Sequence, residues 1–327
     1  MLAPFDYWPR ALIAFDDCGS TTRVDGIEFH VQAEPRDGVS WATFVRRLES
    51  LGFAGLRVAD HLGTGPSPFV ALSAAAAVSE RLWLTPYVLN AGVWDPLVLA
   101  NEIATLNVVS DGRAVCGLGA GHTPTEWTMR GMPVPTPRQR VDRLTELVAT
   151  VPRLLAGETV NYLGVHFECR DAVLEYGVSG AVRRIPLLIG GNGKRVLELA
   201  RSCADIVGLS GLGATLEDGH DHVPLWSAVE IGRSLQRIEA AERQPFVRDV
   251  LVQLVAVTND RRSALRAAFD QFDDAMIEDA AQSPYVLVGT LDEIGAQCER
   301  QRAQWGITSY TVRGPAVPLL TPLVSGA

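Results

Sequence analysis

Apolar runs alternate with amphipathic segments along most of this chain. Short runs rich in β-branched and aromatic residues are typical of strands, and apolar residues spaced by three and four are typical of helices. The pattern predicts eight strands: Ile27–Ala33, Gly55–Ala59, Leu82–Leu89, Arg113–Leu118, Ile185–Ile189, Asp205–Leu209, Val250–Val257 and Thr308–Val312. It predicts helices between them, over Trp41–Leu51, Pro68–Ser79, Pro96–Val109, Pro137–Leu155, Pro224–Arg243, Arg261–Ala280 and Leu291–Trp305.

Strict alternation of strands and helices predicts parallel strands with the helices outside. Eight such units favour a closed (β/α)8 TIM barrel, in which functional sites lie at the C-terminal ends of the strands. The alternative is an open doubly wound sheet, which is expected to carry a glycine-rich loop after its first strand. The segment after Ala33 holds a single glycine, so the barrel is the prediction.

The domain organisation is inferred from segments that lack this alternation. Residues 1–26 match no clear element and are expected to form an N-terminal extension. Residues 27–327 are expected to form a single barrel domain with insertions at about 157–184 and 209–224. Within the first insertion, strand-like runs on either side of Gly164 predict a small hairpin.

Composition narrows the class of partner. The chain has 327 residues, 47% hydrophobic and 20% charged, with a formal net charge of −9, as in an ordinary soluble globular enzyme. It has no Lys- or Arg-rich block to follow a nucleic-acid backbone, and no apolar run approaches the roughly 18 residues of a membrane span. Its five scattered cysteines favour reduced thiols in a cytoplasm. The expected partner is a small molecule.

A glycine-rich turn between a strand and a helix is the clearest candidate binding feature. The run Ile185–Ile189 ends at Gly190, Gly191, Asn192 and Gly193, and a helical pattern follows at once. Glycines let a ligand approach bare backbone N–H groups, and the first turn of a helix adds partial positive charge. This arrangement predicts a phosphate site, with a tight strand-to-helix turn as the alternative.

Two other strand ends carry candidate chemistry. Asp60 and His61 follow the second strand, and a histidine there can act as a general acid or base near neutral pH. The alternative is a histidine held by a hydrogen bond at the barrel rim. A second glycine-dense loop, Gly117–His122, follows the fourth strand, and the segment after it is a candidate lid. Pro86 within the third strand predicts a bulge or an edge-like distortion.

The histidines are dispersed and predict no metal site. His220 and His222 are the one possible metal pair, but no third ligand lies near them in the sequence. The pattern of residues therefore predicts a phosphate-bearing small molecule in a barrel, with its chemistry left open.

From Ile27 to Val312, the chain resembles the luciferase-like flavin and deazaflavin oxidoreductases, in particular the actinobacterial subgroup that uses coenzyme F420. The order and spacing of several motifs carry the resemblance: Asp60-His61, Thr85–Asn90 followed by Asp95-Pro96, Asp111–Arg113 leading to Gly117–Gly121, Pro186–Gly193 and Val286–Thr290.

The resemblance implies a usually dimeric TIM-like barrel with the cofactor ring at the C-terminal mouth. It implies a bulge with a non-prolyl cis peptide near Pro86-Tyr87 that supports the ring, and a catalytic role for His61 with Asp60 beside it. The expected cofactor contacts are Pro86, Tyr87, Val88, Gly119, Gly121, His122, Gly190, Gly191, Asn192 and Gly193.

The chain departs from the family pattern at a few positions. Relatives usually carry a small or hydroxylated residue at Pro86 and a basic or aromatic one at Trp94. His122 stands where some dehydrogenase members place a catalytic Glu, which argues against a sugar-phosphate dehydrogenase. The leading hypothesis is an F420-dependent oxidoreductase that transfers a hydride to or from a small organic substrate. The alternatives are an FMN-dependent monooxygenase that uses O₂ and a non-catalytic cofactor-binding barrel.

Overall fold

The structure is a computed structural model that describes residues 24, 26–36, 38–176, 184–215, 222–239 and 246–325. Its strands are β1 (Glu28–Gln32), β2 (Gly55–Val58), β3 (Trp83–Pro86), β4 (Leu89–Asn90), β5 (Cys116–Gly119), β6 (Val160–Leu163), β7 (Glu168–Ala172), β8 (Leu187–Gly190), β9 (Ile206–Leu209), β10 (Leu212–Thr215), β11 (His222–Pro224), β12 (Val247–Leu251), β13 (Leu254–Val257), β14 (Val286–Gly289) and β15 (Ile307–Arg313).

The main sheet is parallel and closes into a barrel. Its strand order is β3-β2-β1-β15-β12-β9-β8-β5-β4. β3 and β4 are two parts of one barrel strand, interrupted at Tyr87 and Val88. The Leu84 amide donates to the Arg113 carbonyl at 2.9 Å, and the Val115 amide donates to the Leu84 carbonyl at 3.0 Å. The two ends of the sheet therefore meet, and the predicted TIM barrel is confirmed.

Helices connect the barrel strands and pack against them. They are α1 (Trp41–Ser50), α2 (Pro68–Ala76), α3 (Pro96–Val109), α4 (Thr125–Thr128), α5 (Pro137–Leu155), α6 (Lys194–Cys203), α7 (Ala228–Ile238), α8 (Arg261–Ala268), α9 (Asp274–Gln282), α10 (Leu291–Trp305) and α11 (Val317–Ser325). Local caps explain why several helices begin where the sequence predicts. Asp95, Thr136 and Thr290 each accept a hydrogen bond from a first-turn amide of α3, α5 and α10. Among the described helices, none has the length and apolar character needed to cross a membrane.

Several predicted elements are wrong in their extent. The helix predicted from Pro224 begins at Ala228, because Pro224 belongs to β11 and Ser227 caps α7. The predicted strand Val250–Val257 is two strands, because Gln253 breaks it by donating its backbone amide to the Tyr285 carbonyl at 2.7 Å. β12 stays in the barrel, whereas β13 pairs with β14 in a separate two-stranded sheet. The predicted helix Arg261–Ala280 is also two helices, because Asp273 begins a new one by capping α9.

Smaller elements extend from the barrel. β6 and β7 form the predicted antiparallel hairpin around Gly164, and β10 pairs with β11 in a second antiparallel hairpin. Both expected insertions fall partly outside the described residues, because 177–183 and 216–221 are not among them. Of the expected N-terminal extension, only Val24 and Gly26 are described, and Val24 is buried against the core.

Side chains alternate between the two faces of each barrel strand. Phe29 and Val31 belong to the large apolar core between the strands and the helices, whereas His30 between them points the other way, into the barrel. Half of the barrel interior is apolar, with Tyr87, Val115, Leu188 and Leu251. The other half is polar and buried, with His30, Arg57, Asp249, Ser309 and Thr311. The barrel thus encloses a charged cluster beneath its mouth.

Candidate active site

The predicted catalytic pair lies at the barrel mouth, just after β2. The His61 Nδ1 atom is 2.9 Å from the Glu126 Oε1 atom, and Glu126 is buried at the start of α4. About 30% of the His61 side chain stays exposed. A carboxylate can only accept from a histidine nitrogen unless it is protonated, so Glu126 favours a proton on Nδ1. The Nε2 atom is then left for a ligand.

A buried hydrogen-bond network holds Asp60 and Glu126, the residues on either side of His61 in this site. Asn90 donates its side-chain amide to Glu126 Oε2 and its backbone amide to Asp60 Oδ2, the latter at 3.0 Å. The Trp94 indole also donates to Asp60 Oδ2, at 2.8 Å. Burial raises the pKa of Asp60, while the hydrogen bonds from Trp94 and Asn90 oppose the rise. The Asp60 carboxylate is therefore occupied by Asn90 and Trp94, whereas its neighbour His61 is partly exposed at the mouth.

Three histidine rings meet above the mouth. The His122 ring lies 5.7 Å from that of His61 and 5.0 Å from that of His222, both edge-on. His222 belongs to β11, so the β10–β11 hairpin reaches the end of β5. His220 lies outside the described residues, and the possible metal pair that it would form is not described. In the residues that are described, no three His, Cys, Asp or Glu side chains are arranged to hold a metal ion.

The interrupted third strand carries a close-packed shelf. A cis peptide joins Tyr87 to Val88, one residue beyond the Pro86-Tyr87 bond that the resemblance implied. A Cβ atom added to Gly119 would lie 2.4 Å from Val88, and one added to Gly190 would lie 2.9 Å from it. Both glycines are thus needed for Val88 to fit between β5 and β8. We call Val88, Gly119 and Gly190 the ring shelf.

The side chain of Tyr87 points down into the barrel. Its hydroxyl donates to Asp249 Oδ2 at 2.7 Å, and its ring lies 4.5 Å from the Arg57 guanidinium. Burial, together with the Asp249 charge, raises the pKa of Tyr87 well above its ordinary range. At the mouth, Tyr87 therefore offers its backbone rather than its hydroxyl. Pro86 ends β3 and pairs with Val58.

Gly191–Gly193, which we call the anion loop, follows β8. Gly193 is the N-cap of α6, and no described side chain caps that helix turn. A Cβ added to Gly193 would meet no atom within 4 Å, so this face is open. The Asn192 amide group, by contrast, donates to Ser210 Oγ at 2.7 Å and to the Leu212 carbonyl at 2.8 Å. Asn192 therefore positions the loop by its side chain. The Gly191 amide donates to the Gly208 carbonyl at 3.0 Å, so the backbone N–H groups left for an anion are those from Asn192 into the first turn of α6.

The second glycine-rich loop continues past the shelf. Gly121 has a φ of +71°, and a Cβ there would lie 2.1 Å from Asn90 Oδ1. This glycine lets the loop pass close to the network that holds Glu126. The three predicted loops after β2, β5 and β8 are thus brought to one mouth, as the barrel requires.

Several mouth residues escaped the sequence analysis. In the sequence, Glu126 lies in the segment after His122 that is a candidate lid, whereas in the structure it is the hydrogen-bond partner of His61. Gln32, Gln253 and Arg313 were not considered, although each lies at the end of a barrel strand or directly after it. That position is the one signal in the sequence that could have indicated them.

A flat ring with a phosphorylated tail fits these features. The anion loop begins next to Gly190 of the ring shelf, and the loop after Gly119 carries His122, whose ring lies 5.7 Å from that of His61. The uncapped first turn of α6 has the donors and the partial charge that a phosphate needs.

Comparisons with known proteins agree with the barrel fold. The family model described as "Luciferase-like monooxygenase" matches residues 29–305. The chain is 32% identical over 194 residues to an F420-dependent glucose-6-phosphate dehydrogenase of Beutenbergia cavernae, which covers 57% of this chain and 56% of that protein. It is 30% identical over 162 residues to a 5,10-methylenetetrahydromethanopterin reductase of Archaeoglobus fulgidus, which covers 50% of this chain and 46% of that protein.

The chain thus spans about half the length of these curated relatives. Among solved structures, it is similar to the coenzyme F420-dependent tetrahydromethanopterin reductase of Methanopyrus kandleri. The TM-score is 0.71 at 18% identity, and the match covers 92% of this chain and 97% of the other. This likeness concerns the fold. Because the family model matches most of the chain, the protein belongs to the luciferase-like monooxygenase family.

Proposed function

We propose that this protein is an F420-dependent oxidoreductase that transfers a hydride between the deazaflavin and a small organic substrate. The observation that carries the proposal is the His61–Glu126 pair at the same barrel mouth as the ring shelf, which puts a proton-transfer group and a place for a flat ring in one site. The printed name of the Beutenbergia cavernae relative, which matches over about half its length, supports the choice of F420.

The described residues suggest how the cofactor is held. The bound deazaflavin would supply a carbon that accepts or releases a hydride. We assign the ring to the shelf of Val88, Gly119 and Gly190, and the phosphate to the anion loop. Gly121 and His122 would border the ring from the end of β5.

We assign the proton transfer to His61. Because Nδ1 pairs with Glu126, Nε2 is the nitrogen left to take a proton from a substrate hydroxyl or return it to a carbonyl. Asp60 was predicted beside His61 as a catalytic residue. Because Asp60 accepts from both Trp94 and Asn90, we assign it a positioning role behind the pair.

Titration of the purified protein with F420 and with FMN tests the choice of cofactor. We expect saturable binding of F420 and weaker binding of FMN, followed by fluorescence of each cofactor. Tight FMN binding without F420 binding would contradict the proposal. It would favour a monooxygenase in which reduced flavin reacts with O₂, the second candidate that the family description supports.

Two substitutions test the assigned roles once a substrate is found. His61→Ala should lower kcat by about a hundredfold or more, because proton transfer by a positioned side chain contributes roughly that much. Glu126→Gln should leave KM nearly unchanged but lower kcat, since it removes the carboxylate that orients His61. Unchanged turnover in His61→Ala would refute the catalytic role, and a barrel without turnover but with F420 binding would support the non-catalytic alternative.

We also propose a cytoplasmic homodimer. Exposed apolar side chains lie near the starts of α2 and α3, namely Val70, Leu97 and Val98, and offer a surface for a second copy. Cys116 and Cys298 are buried free thiols, which is consistent with the proposed reducing compartment. Sedimentation of the protein should give twice the chain mass of 35.3 kDa, and Val98→Asp should shift it toward the monomer.

A further inference from the structure

Five residues form a continuous chain of hydrogen bonds around the barrel mouth, from the end of β1 to the anion loop, and Ser210 takes part through both its backbone carbonyl and its hydroxyl. We call this chain the mouth strut: Gln32, Arg313, Gln253, Ser210 and Asn192. It joins residues from five different strand ends. At one end the Gln32 amide group donates to the Tyr87 carbonyl at 3.3 Å, directly before the ring shelf. At the other end, Asn192 belongs to the anion loop itself.

Arg313 is the centre of the mouth strut. Its guanidinium donates to Gln32 Oε1 at 3.1 Å and to Gln253 Oε1 at 3.3 Å. Because a guanidinium has donors only, both glutamines must turn their oxygens toward it and their NH₂ groups away. Those NH₂ groups then donate to the Tyr87 carbonyl on one side and to the Ser210 carbonyl, at 2.9 Å, on the other. One cation thus sets the direction of the whole chain of bonds.

The second half of the mouth strut reaches the anion loop through Ser210. The Ser210 hydroxyl accepts from Asn192 Nδ2 at 2.7 Å, and the Ser210 amide donates to Asn192 Oδ1 at 3.3 Å. With the bond to Leu212, these contacts use both N–H groups of the Asn192 amide. A path of hydrogen bonds therefore runs from Gln253 through Ser210 to Asn192, the residue that precedes the N-cap of α6.

The barrel itself does not require this bridge. β1 already pairs with β15, and β15 with β12, through backbone hydrogen bonds. Within the described residues, Arg313 has no carboxylate at ion-pair distance; its partly buried guanidinium lies between two amides, and the Glu34 charge acts on it only from a longer range. Burying a cation beside neutral groups costs free energy. Such an arrangement is expected where function, rather than stability, sets the residue.

We propose that Arg313 is a positioning residue that couples the ring shelf to the anion loop, so that the two ends of a phosphorylated cofactor are bound as one unit. The inference rests on the proposed function only in naming that cofactor. Because Arg313 acts through Gln32 and Gln253, it need not touch the cofactor. Loss of Arg313 should loosen both ends of the strut together.

Hydrogen–deuterium exchange of the protein without cofactor tests the coupling directly. Arg313→Met should raise deuterium uptake both in residues 86–91 and in residues 190–196. The control is Arg262→Met, which removes an exposed arginine that lies 3.6 Å from Asp274. It should change neither segment. Unchanged uptake in both segments, or a change confined to one of them, would overturn the proposal.

Two isosteric variants cut the strut on either side of Arg313 and guard against misfolding of Arg313→Met. Gln253→Glu keeps a partner for Arg313 but removes the donor to Ser210, so uptake should rise in residues 190–196 alone. Gln32→Glu removes the donor to Tyr87, so uptake should rise in residues 86–91 alone. A uniform rise in both segments for either variant would indicate general destabilisation and would contradict the assigned path.

Cofactor binding gives a second measurement. Gln253→Glu should weaken the binding of F420 about tenfold, the effect of one lost hydrogen bond to a charged network. It should leave the binding of the phosphate-free deazaflavin nucleoside nearly unchanged. Gln32→Glu should weaken the binding of both probes equally. If the wild-type protein binds FMN instead, FMN and riboflavin replace the two probes. If it binds neither, the proposed function fails and the exchange data alone decide for or against the strut.

Discussion

At the scale of single residues, the ring shelf depends on the absence of two side chains. Gly119 and Gly190 have ordinary backbone angles, so their role is space rather than conformation. The methyl groups of Val88 occupy the volume that a Cβ atom would need. A sequence motif of glycines can therefore reflect close packing against a neighbouring strand as well as contact with a ligand.

Gly119→Ala should destabilise the protein by about 1–3 kcal/mol, because the added methyl group overpacks the contact with Val88. The matched control is Gly232→Ala in α7, where a Cβ meets no atom within 4 Å. That change should stabilise the protein by about 0.5–1 kcal/mol through helix propensity. Urea unfolding measures both. Equal effects from the two substitutions would contradict the packing of the shelf.

His30 gives the barrel interior a dependence on pH. Burial, and then the Arg57 charge, lower the pKa of His30 below its ordinary value of 6.5, against a hydrogen bond to Glu28. Above pH 6.5, His30 is neutral in both states. Below it, the unfolded chain binds a proton that the folded protein resists, so stability is lost as the pH falls toward the lowered pKa.

His30→Asn should remove this part of the pH dependence. Between pH 7.5 and pH 5, the wild-type protein should lose more unfolding free energy than the variant, at a slope of up to about 1.4 kcal/mol per pH unit. Urea unfolding of both proteins at several pH values gives the comparison. Parallel curves for the two proteins would show that His30 does not titrate differently on folding.

At the scale of elements, local sequence signals determine the bounds of some helices, whereas long-range contacts determine where one predicted strand is divided. The helices Pro96–Val109, Pro137–Leu155 and Leu291–Trp305 have the bounds that the pattern predicts, because each begins at a local cap. The strand Val250–Val257 does not, because its division depends on the Tyr285 carbonyl far along the chain. α6 differs from the capped helices, since Gly193 has no side chain to cap its first turn.

Replacement of Gly193 should separate the stability of α6 from ligand binding. Gly193→Asp adds a capping carboxylate, which should stabilise the protein by a few tenths to about 1 kcal/mol. The same charge should weaken the binding of phosphorylated cofactor by about tenfold or more. Gly193→Ser, a neutral cap, should stabilise similarly but weaken binding less. Tighter or unchanged binding in Gly193→Asp would argue that the anion loop holds no phosphate.

At the scale of the whole molecule, a buried ionic cluster ties distant strands together across the barrel. Arg57 on β2 contacts Asp249 on β12 at 2.5 Å, and Ser309 and Thr311 on β15 also donate to Asp249. Burial by itself would raise the pKa of Asp249, but the Arg57 and His30 charges and the hydrogen bonds lower it. The same cluster holds the Tyr87 hydroxyl directly beneath the shelf.

Arg57→Met and Asp249→Asn should each destabilise the protein by about 3–5 kcal/mol, because each leaves a buried polar partner without its counterpart. The double variant should cost clearly less than the sum, since it removes both groups. Urea unfolding of the four proteins completes the cycle. Additive losses would show that the two groups do not depend on each other.

The sequence by itself determined the alternation of strands and helices, and hence the barrel and the end at which its site lies. Strand and helix periods are local, so they can be read within short windows. It also indicated His61, Gly119 and the anion loop, because each directly follows an apolar strand. Only the tertiary structure decided their partners. Glu126 is 65 residues from His61, and Arg313 is 281 residues from Gln32. Such pairs meet because the barrel closes on itself, and no local pattern encodes which side chains then come within hydrogen-bond distance.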